Sequence, residues 1–599
     1  MISSQAAARR LDQLDYFDLL REAKKSAEMT PNKIIRLAIL ADFSTQSLAP
    51  ILKALCARHG VGLEIYEAAF DSIDIEVIDP TSELYKFKPH YVAIIMTTQQ
   101  LRGKIYAAGS RKDFAESATR HLVELWSRIA ERSSAQLVQA TFVLPAERAF
   151  GNYEVKVPHS VGAIIADLNH GIIDAARQAG NVLICDTDFI AAEAGRQKWF
   201  DDRLWILSKA LCSFDAMPRF GRSLTDIILA ADGRAVKCVA LDLDGTLWGG
   251  TIGDDGLESI RLGELDDGEA FVEFQHFLLE LKRRGIILAV VSKNERHHAL
   301  LPFQKHPDMV LKEEDIAVFI ANWENKADNI KTVRRILNIG FDSIVFLDDN
   351  PFERGLVREL LPDVIVPELP DDPSLFLSTL ADLALFETTS YSQADENRVA
   401  QYRQEAARHE LSNEFSDIDS YLVSLDMTMK VERFSEFNLP RIVQLMQRSN
   451  QFNLTTRRYS ESACTKLMCD PDYYTLTMSL KDKFGDSGLI SIIILKMSDA
   501  VVIDEFLMSC RVLKRGVEAF AMNAIFELAR QRGSHSVVGS YLPTPKNGMV
   551  RDFYPGFGFA RVEETLHGET TWRMDVEAYS PLPHHINSWP LGEISNDPS

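Results

Sequence analysis

The feature that most constrains this chain is an alternation between residues 236 and 370. Short apolar runs, VKCVALDL, GIILAVVS, IAVFIA, DSIVFLDD and VIVPEL, are separated by helical patterns such as EAFVEFQHFLLELKRRG and KADNIKTVRRILNIG. Runs of this kind read as strands buried on both faces, and the helices between them predict a parallel sheet. Open parallel sheets place their ligands beyond the carboxyl ends of the strands. The chemically capable residues stand at those ends. Asp242 and Asp244 close the first run in LDLDGTLWGG, Ser292 and Lys293 the second in VVSKN, and Asp348 and Asp349 the fourth in FLDDNPFER, while Lys326 opens a helix in NWENKADNI.

The residue types point to phosphoryl transfer. Three carboxylates about 4 Å apart repel by about 4 kcal/mol per pair at an effective dielectric of 20, so a divalent cation is expected among them. Magnesium suits oxygen ligands and phosphate substrates. With a cation and Lys326 aligning the phosphoryl oxygens, Asp242 is the expected nucleophile and forms an aspartyl-phosphate. Asp244, two residues on and on the same side of an extended chain, is the expected acid/base. Ser292 supplies a hydroxyl donor, and Gly245, Thr246, Lys293 and Asn294 are candidate substrate contacts. Asp242, Asp244, Asp348 and Asp349 are the candidate metal carboxylates. Of the last pair, Asp348 is expected on the metal and Asp349 to orient Lys326. About 50 residues separate Asp242 from Ser292 and 34 separate Ser292 from Lys326, which leaves no room for an inserted lid domain. The mouth of such a site must be covered by substrate, by a partner or by the flanking domains.

The rest of the chain also alternates. At 599 residues it exceeds one core, and three to four domains are expected. IIRLAILADFS, YVAIIM, AQLVQATFVL and NVLICD predict a first α/β domain over 31–215, after a helical segment at 1–30. A linker is expected at 216–235, the central domain at 236–375, a charged helical linker at 376–424, a mixed α+β domain at 425–578 and an irregular tail at 579–599. Seven scattered cysteines contain no close pair, which argues against a disulfide framework or a zinc site. A net charge of −21 disfavours nucleic acid, and no apolar run is long enough to span a bilayer. The amino-terminal residues lack the apolar block of a secretory signal, so the cytoplasm is the expected location.

The four strand-end elements, in this order, resemble the haloacid dehalogenase superfamily in its capless form. At residue level DLDGTLWGG, LDDNPFERG, RSNQFNLTTRRY, DKFGDSGLI, MSCRVLKRGVE and YLPTPKNGMVRDFY resemble the FkbH-like family, over nearly the whole chain. That resemblance implies a multidomain α/β protein with an SGNH-hydrolase-like N-terminal domain, a central Rossmann-like parallel sheet of capless haloacid dehalogenase type and a GNAT-like α+β C-terminal domain. It also implies a Mg2+-dependent reaction in which 1,3-bisphosphoglycerate is dephosphorylated and its glyceryl unit is passed, through an enzyme cysteine thioester, to the phosphopantetheine of an acyl carrier protein.

Cys510 is the candidate acyl carrier. It precedes a predicted helix and has Arg511, Lys514 and Arg515 as neighbours, which would stabilise a thiolate or receive an acidic carrier protein. A small buried core thiol is the alternative. In the GNAT pattern Arg/Gln-x-x-Gly-x-Gly/Ala, Leu513 and Glu518 stand where a polar and a small residue belong, which argues against coenzyme A. Ser44, in ADFST, lacks the Gly-Asp-Ser context and a following Asp-x-x-His block, so the first domain is expected to be a non-hydrolytic scaffold. Asn450, Asn453, Lys546 and Asn547 are either ligand contacts or turn residues. Two other functions fit the residues: a phosphatase of a small phosphate ester with inert flanking domains, and an acyltransferase or carrier-docking module centred on the C-terminal domain. No oligomeric state follows from the sequence.

Overall fold

The computed structural model describes residues 15–26, 30–31, 33–391, 402–404, 408, 411, 415, 417–449, 451–544, 546–565 and 568–588. The chain divides into two compact units, one centred on Gln13–Asp232 and the other on Gly233–Arg458 and Thr465–Ser599.

In the first unit, β1 (Lys33–Ala41), β2 (Val61–Glu67), β3 (Tyr91–Ile95), β4 (Gln136–Ala140) and β5 (Val182–Cys185) form a parallel sheet of order β2-β1-β3-β4-β5. β2 is absent from the sequence reading because Val61–Glu67 has no continuous apolar run: only Val61, Leu63 and Ile65 alternate there, in a half-exposed strand that follows the helix Ala49–Arg58 across Gly60. The expected linker at 216–235 is instead helix α1 (Met217–Ala231), which buries Met217, Phe220, Leu224 and Ile228 among its core residues. It belongs to the first unit, which extends through Asp232. An apolar stripe at helical spacing is a packing face, and a solvated linker would not carry one.

The second unit carries two sheets. The first contains β6 (Cys238–Leu241), β7 (Ile287–Ser292), β8 (Ile316–Ala321) and β9 (Ile344–Leu347), all parallel, in the order β8-β7-β6-β9. The fifth expected strand, VIVPEL, is reduced to one bridge between Ile365 and Val345. Strand order reverses between β6 and β9, and this switch point is where doubly wound sheets open a crevice. Helix α2 (Lys326–Leu337) follows β8, and α3 (Pro351–Leu360) follows β9. The β6–β7 connection holds helices at Ile252–Asp255 and Gly268–Arg283 and no further strand, so the capless reading stands.

The other sheet is mixed. β10 (Met427–Glu432), β11 (Tyr473–Asp482), β12 (Gly485–Met497) and β13 (Ala500–Met508) run antiparallel in succession. Helix α4 (Val517–Gln531) then crosses to β14 (Ser536–Tyr541), parallel to β13, and β15 (Ala560–Glu564) and β16 (Thr570–Asp575) complete that side. The order β15-β16-β14-β13-β12-β11-β10-β17 fits the GNAT-like α+β domain that the resemblance implies. The last strand, β17 (Ile586–Ser588), lies within the expected irregular tail and pairs with β10. No helix among the described residues is long and apolar enough to cross a membrane.

Candidate active site at the switch point

Register builds the site. Leu241 of β6 pairs with Leu347 of β9, and the Asp242 N–H donates to the Leu347 carbonyl at 3.0 Å, so Asp242 and Asp348 leave adjacent strands side by side. Lys326, at the amino end of α2, is 3% exposed and reaches both: its Nζ lies 2.7 Å from Asp242 Oδ2 and 2.6 Å from Asp348 Oδ2. Carboxylate oxygens of Asp242, Asp348 and Asp349 all lie within 4.8 Å of one another. An all-oxygen donor set of this charge fits a hard divalent cation. Burial and the Asp242 charge push the Asp348 carboxyl up to about 7 against the pull of Lys326. Burial and Asp242 raise Asp349 as well. Burial favours neutral Lys326, but Asp242 and Asp348 outweigh it and raise its pKa, so the ammonium is retained.

Two expectations change. Lys326 is oriented by Asp348, whereas Asp349 is exposed and donates its own N–H to the hydroxyl oxygen of buried Thr246, at 3.2 Å. Nor is Asp244 part of the carboxylate cluster. Its Oδ1 accepts from Trp248 Nε1 (2.9 Å) and the Ile252 N–H (3.0 Å), and its Oδ2 accepts from Asn294 Nδ2 (2.7 Å). Those three bonds fix the orientation of the Asp244 carboxyl. Asn294, expected at substrate, therefore acts on Asp244, and Trp248 is a positioning residue that the sequence did not single out.

The remaining candidates are placed as follows. Ser292 is buried at the end of β7. Lys293 is tied to Glu353 of α3 at 2.6 Å. Gly245 has φ +71, and a Cβ there would lie 2.2 Å from Asp349 Oδ2, so only glycine lets the loop pass this close to the carboxylates.

Cys510 lies apart from this cluster, in a short 3-10 turn, Cys510–Val512, after β13. Its carbonyl accepts from Asn338 Nδ2 at 2.5 Å, and Asn338 caps the carboxyl end of α2. Lys326 and Asn338 stand at opposite ends of one helix, so about 18 Å of helix separates the carboxylate cluster from Cys510, at about 1.5 Å per residue. The basic neighbours are not a surface cluster. Arg515 is buried against Asp482 (3.5 Å), and Arg511, also buried, donates to Ser509 Oγ (3.2 Å). Helix α4 begins at Val517, seven residues beyond Cys510 and too far for its dipole to act. At that end Glu518 Oε1 accepts the Lys514 N–H at 3.0 Å.

Asn453 and Asn547 are fully buried turn residues: Asn453 Oδ1 accepts from the Thr456 N–H, and Asn547 Oδ1 from the Thr544 N–H. Lys546 pairs with Asp342 at 2.5 Å. Asn450 lies outside the described residues. In the first unit, Ser44 donates its N–H to the Lys209 carbonyl. Asp42 beside it is fully buried, and burial raises its pKa to about 7.

The model of the FkbH N-terminal domain family matches residues 36–229, the span of the first unit including α1. Among solved structures, the chain is similar to the N-terminal part of the protein BF1531 from Bacteroides fragilis, described as containing a phosphatase domain complexed with Mg. Identity is 40%, covering 63% of this chain and all of that one, with a TM-score of 0.59. The chain belongs to the FkbH-like family. A quarter of this FkbH-like chain also aligns with the ribosomal-protein-S18-alanine N-acetyltransferase from Escherichia coli (12% identity, 25% and 94% coverage, TM-score 0.20). A similar alignment is found with spermidine N-acetyltransferase from Vibrio cholerae (11%, 25% and 98%, TM-score 0.21). Both likenesses are too slight to carry a conclusion. No curated protein matches the FkbH-like chain.

Proposed function

We propose that this FkbH-like protein is a Mg2+-dependent phosphoryl-transfer enzyme that removes phosphate from a small phospho-acyl donor, 1,3-bisphosphoglycerate by family resemblance, and loads the acyl unit onto the phosphopantetheine of an acyl carrier protein. The observation that carries the phosphoryl-transfer part is Lys326 held between Asp242 and Asp348 at the switch point. The similarity to a phosphatase domain complexed with Mg supports it. Mg2+ held by Asp242, Asp348 and Asp349 would neutralise charge on the phosphoryl oxygens.

An Asp242 oxygen attacks phosphorus, the bond from phosphorus to the leaving oxygen breaks, and Asp244 gives that oxygen its proton. Water then attacks the aspartyl-phosphate while Asp244 takes a proton from it, releasing orthophosphate and restoring Asp242. Lys326 stays charged throughout and stabilises the transferring group. The phosphate removed at Asp242 is the ester phosphate at C3, so the acyl phosphate at C1 is kept for the acyl step: the Cys510 thiol gives its proton to solvent, its sulfur attacks the acyl carbonyl carbon, and phosphate leaves with the carbon–oxygen bond pair. The carrier thiol next displaces Cys510 from the thioester. The separation across α2 makes these two steps spatially distinct.

That separation also favours a second reading, a phosphatase whose carboxylate site works alone. One measurement divides them: intact-protein mass spectrometry of the enzyme and a phosphopantetheinylated carrier after incubation with Mg2+ and 1,3-bisphosphoglycerate. An acyl increment that passes from enzyme to carrier, and is lost in Cys510→Ala, is expected. Phosphate release with neither protein gaining mass would replace the acyl-transfer reading with the phosphatase.

A further inference from the structure

The outer face of α2 carries a feature that the phosphoryl chemistry does not use. Lys331, Arg334 and Arg335 are exposed there and, with Asn338 and Phe341, line an open groove of about 510 Å³. Lys331 has a carboxylate partner in Asp328 at 2.8 Å. Arg334 instead lies over the Phe341 ring, 4.7 Å from its centre, and Arg335 donates to the Thr332 hydroxyl, at 3.4 Å. Among the described residues neither guanidinium is in an ion pair. Cations in the last turns of a helix complement its dipole, which accounts for two of these charges. It does not account for a groove beside them, nor for Asn338 at the groove's end holding the Cys510 carbonyl.

We propose that this groove is the docking surface for an acidic protein partner. Resting on the acyl-transfer reading above, that partner is the carrier protein presented to Cys510. Spacing selects the partner's chemistry. Positions 331, 334, 335 and 338 follow one another along a single helix face, with neighbours about 5–6 Å apart. Such a row matches carboxylates repeated along a partner helix, whereas one phosphate group is held by donors converging on a point. The chain's net charge of −21 repels an acidic partner elsewhere, so a local basic strip also selects where contact occurs. Of Arg511, Lys514 and Arg515, the sequence's candidates for this task, both arginines are buried and only Lys514 is exposed.

The test uses the full-length double variant Arg334→Glu/Arg335→Glu, with Arg334→Lys/Arg335→Lys as the charge-retaining control. Binding of an acidic phosphopantetheinylated carrier protein is followed by fluorescence anisotropy at two salt concentrations, alongside carrier acylation and phosphate release. Expected are carrier binding that weakens with salt in the wild type, a loss of at least tenfold in affinity and a matching rise in carrier KM in the Glu variant, near-normal behaviour of the Lys variant, and unchanged phosphate release. Equal carrier affinity in the wild type and the Glu variant overturns the docking surface, as does displacement of the carrier by millimolar inorganic phosphate, which would make the groove a small-anion site. Carrier binding that depends on the arginines without any acylation would leave the docking surface standing and reject the acyl-transfer reading. Absence of wild-type carrier binding rejects the docking surface.

Discussion

Replacing Lys326 with Met tests the electrostatic logic of the central site. The lysine makes contacts of 2.6 and 2.7 Å to two buried carboxylates that share a 4.8 Å cluster with a third. At an effective dielectric of 20, each carboxylate pair at that separation repels by about 3.5 kcal/mol, and the ammonium attracts each of its two partners by about 6 kcal/mol. Desolvation offsets much of that attraction, and removing one partner from a buried ion pair costs about 3–5 kcal/mol net. In magnesium-free buffer at pH 8, Lys326→Met should lower the stability of the second unit by that amount.

The loss should shrink toward pH 5. A carboxyl with a raised folded-state pKa, as Asp348 has, contributes stability when protonated and loses it as pH rises through about 7. Added Mg2+ should restore part of the loss, because a cation bound only to the folded form contributes about 2.7 kcal/mol at a hundredfold excess over its Kd. Urea unfolding followed by tryptophan fluorescence, with EDTA or with Mg2+, measures all three effects. Phosphate release should fall by about 10²–10³-fold, as when one donor to a transition-state anion is lost. A variant within about 1 kcal/mol of wild type in EDTA, with no added response to Mg2+ or acid, would refute the reasoning.

Three further outcomes are expected. Gly245→Ala places a methyl 2.2 Å from Asp349 Oδ2 at φ +71, so it should cost about 1–3 kcal/mol and raise the Mg2+ concentration for half-maximal phosphate release about tenfold; an unchanged Mg2+ dependence would remove Asp349 from the metal set. Asp244→Asn keeps an acceptor for Trp248, needs the Asn294 amide to turn over so that its oxygen accepts, and removes the proton carrier, so the phosphorylated enzyme should persist in a quenched reaction; its absence would move the acid/base role elsewhere. Glu505, fully buried on β13, has its pKa pushed by burial from the usual 4.5 to about 7, so its contribution to stability is complete below pH 4.5 and falls by about 3 kcal/mol as pH rises from 4.5 through 7. Glu505→Gln should flatten that part of the stability profile, and parallel profiles for the two proteins would contradict it.

Much of the site was legible before folding. Apolar runs ending in DLDG, VVSK and FLDD place carboxylates, hydroxyl and lysine at one sheet edge, because every parallel strand presents its carboxyl end to the same side. Pairing of Leu241 with Leu347 then brings Asp242 beside Asp348. The sequence also determined the capless form, since the connection lengths allow nothing larger.

Tertiary structure decided which neighbour does what. Asp348 and Asp349 are chemically identical, and only their packing turns the first inward to Lys326 and leaves the second outside against Thr246. The basic residues after Cys510 form a surface cluster when read as neighbours in sequence, but the fold buries Arg511 and Arg515 against partners far along the chain. The contact of Asn338 with Cys510 spans 172 positions. Local pattern carries the direction of a strand and the face of a helix, whereas the partner of a buried charge depends on which distant segment arrives beside it. That is why α2 shows as a helix in the sequence but as the link between the carboxylate cluster and Cys510 only in the folded protein.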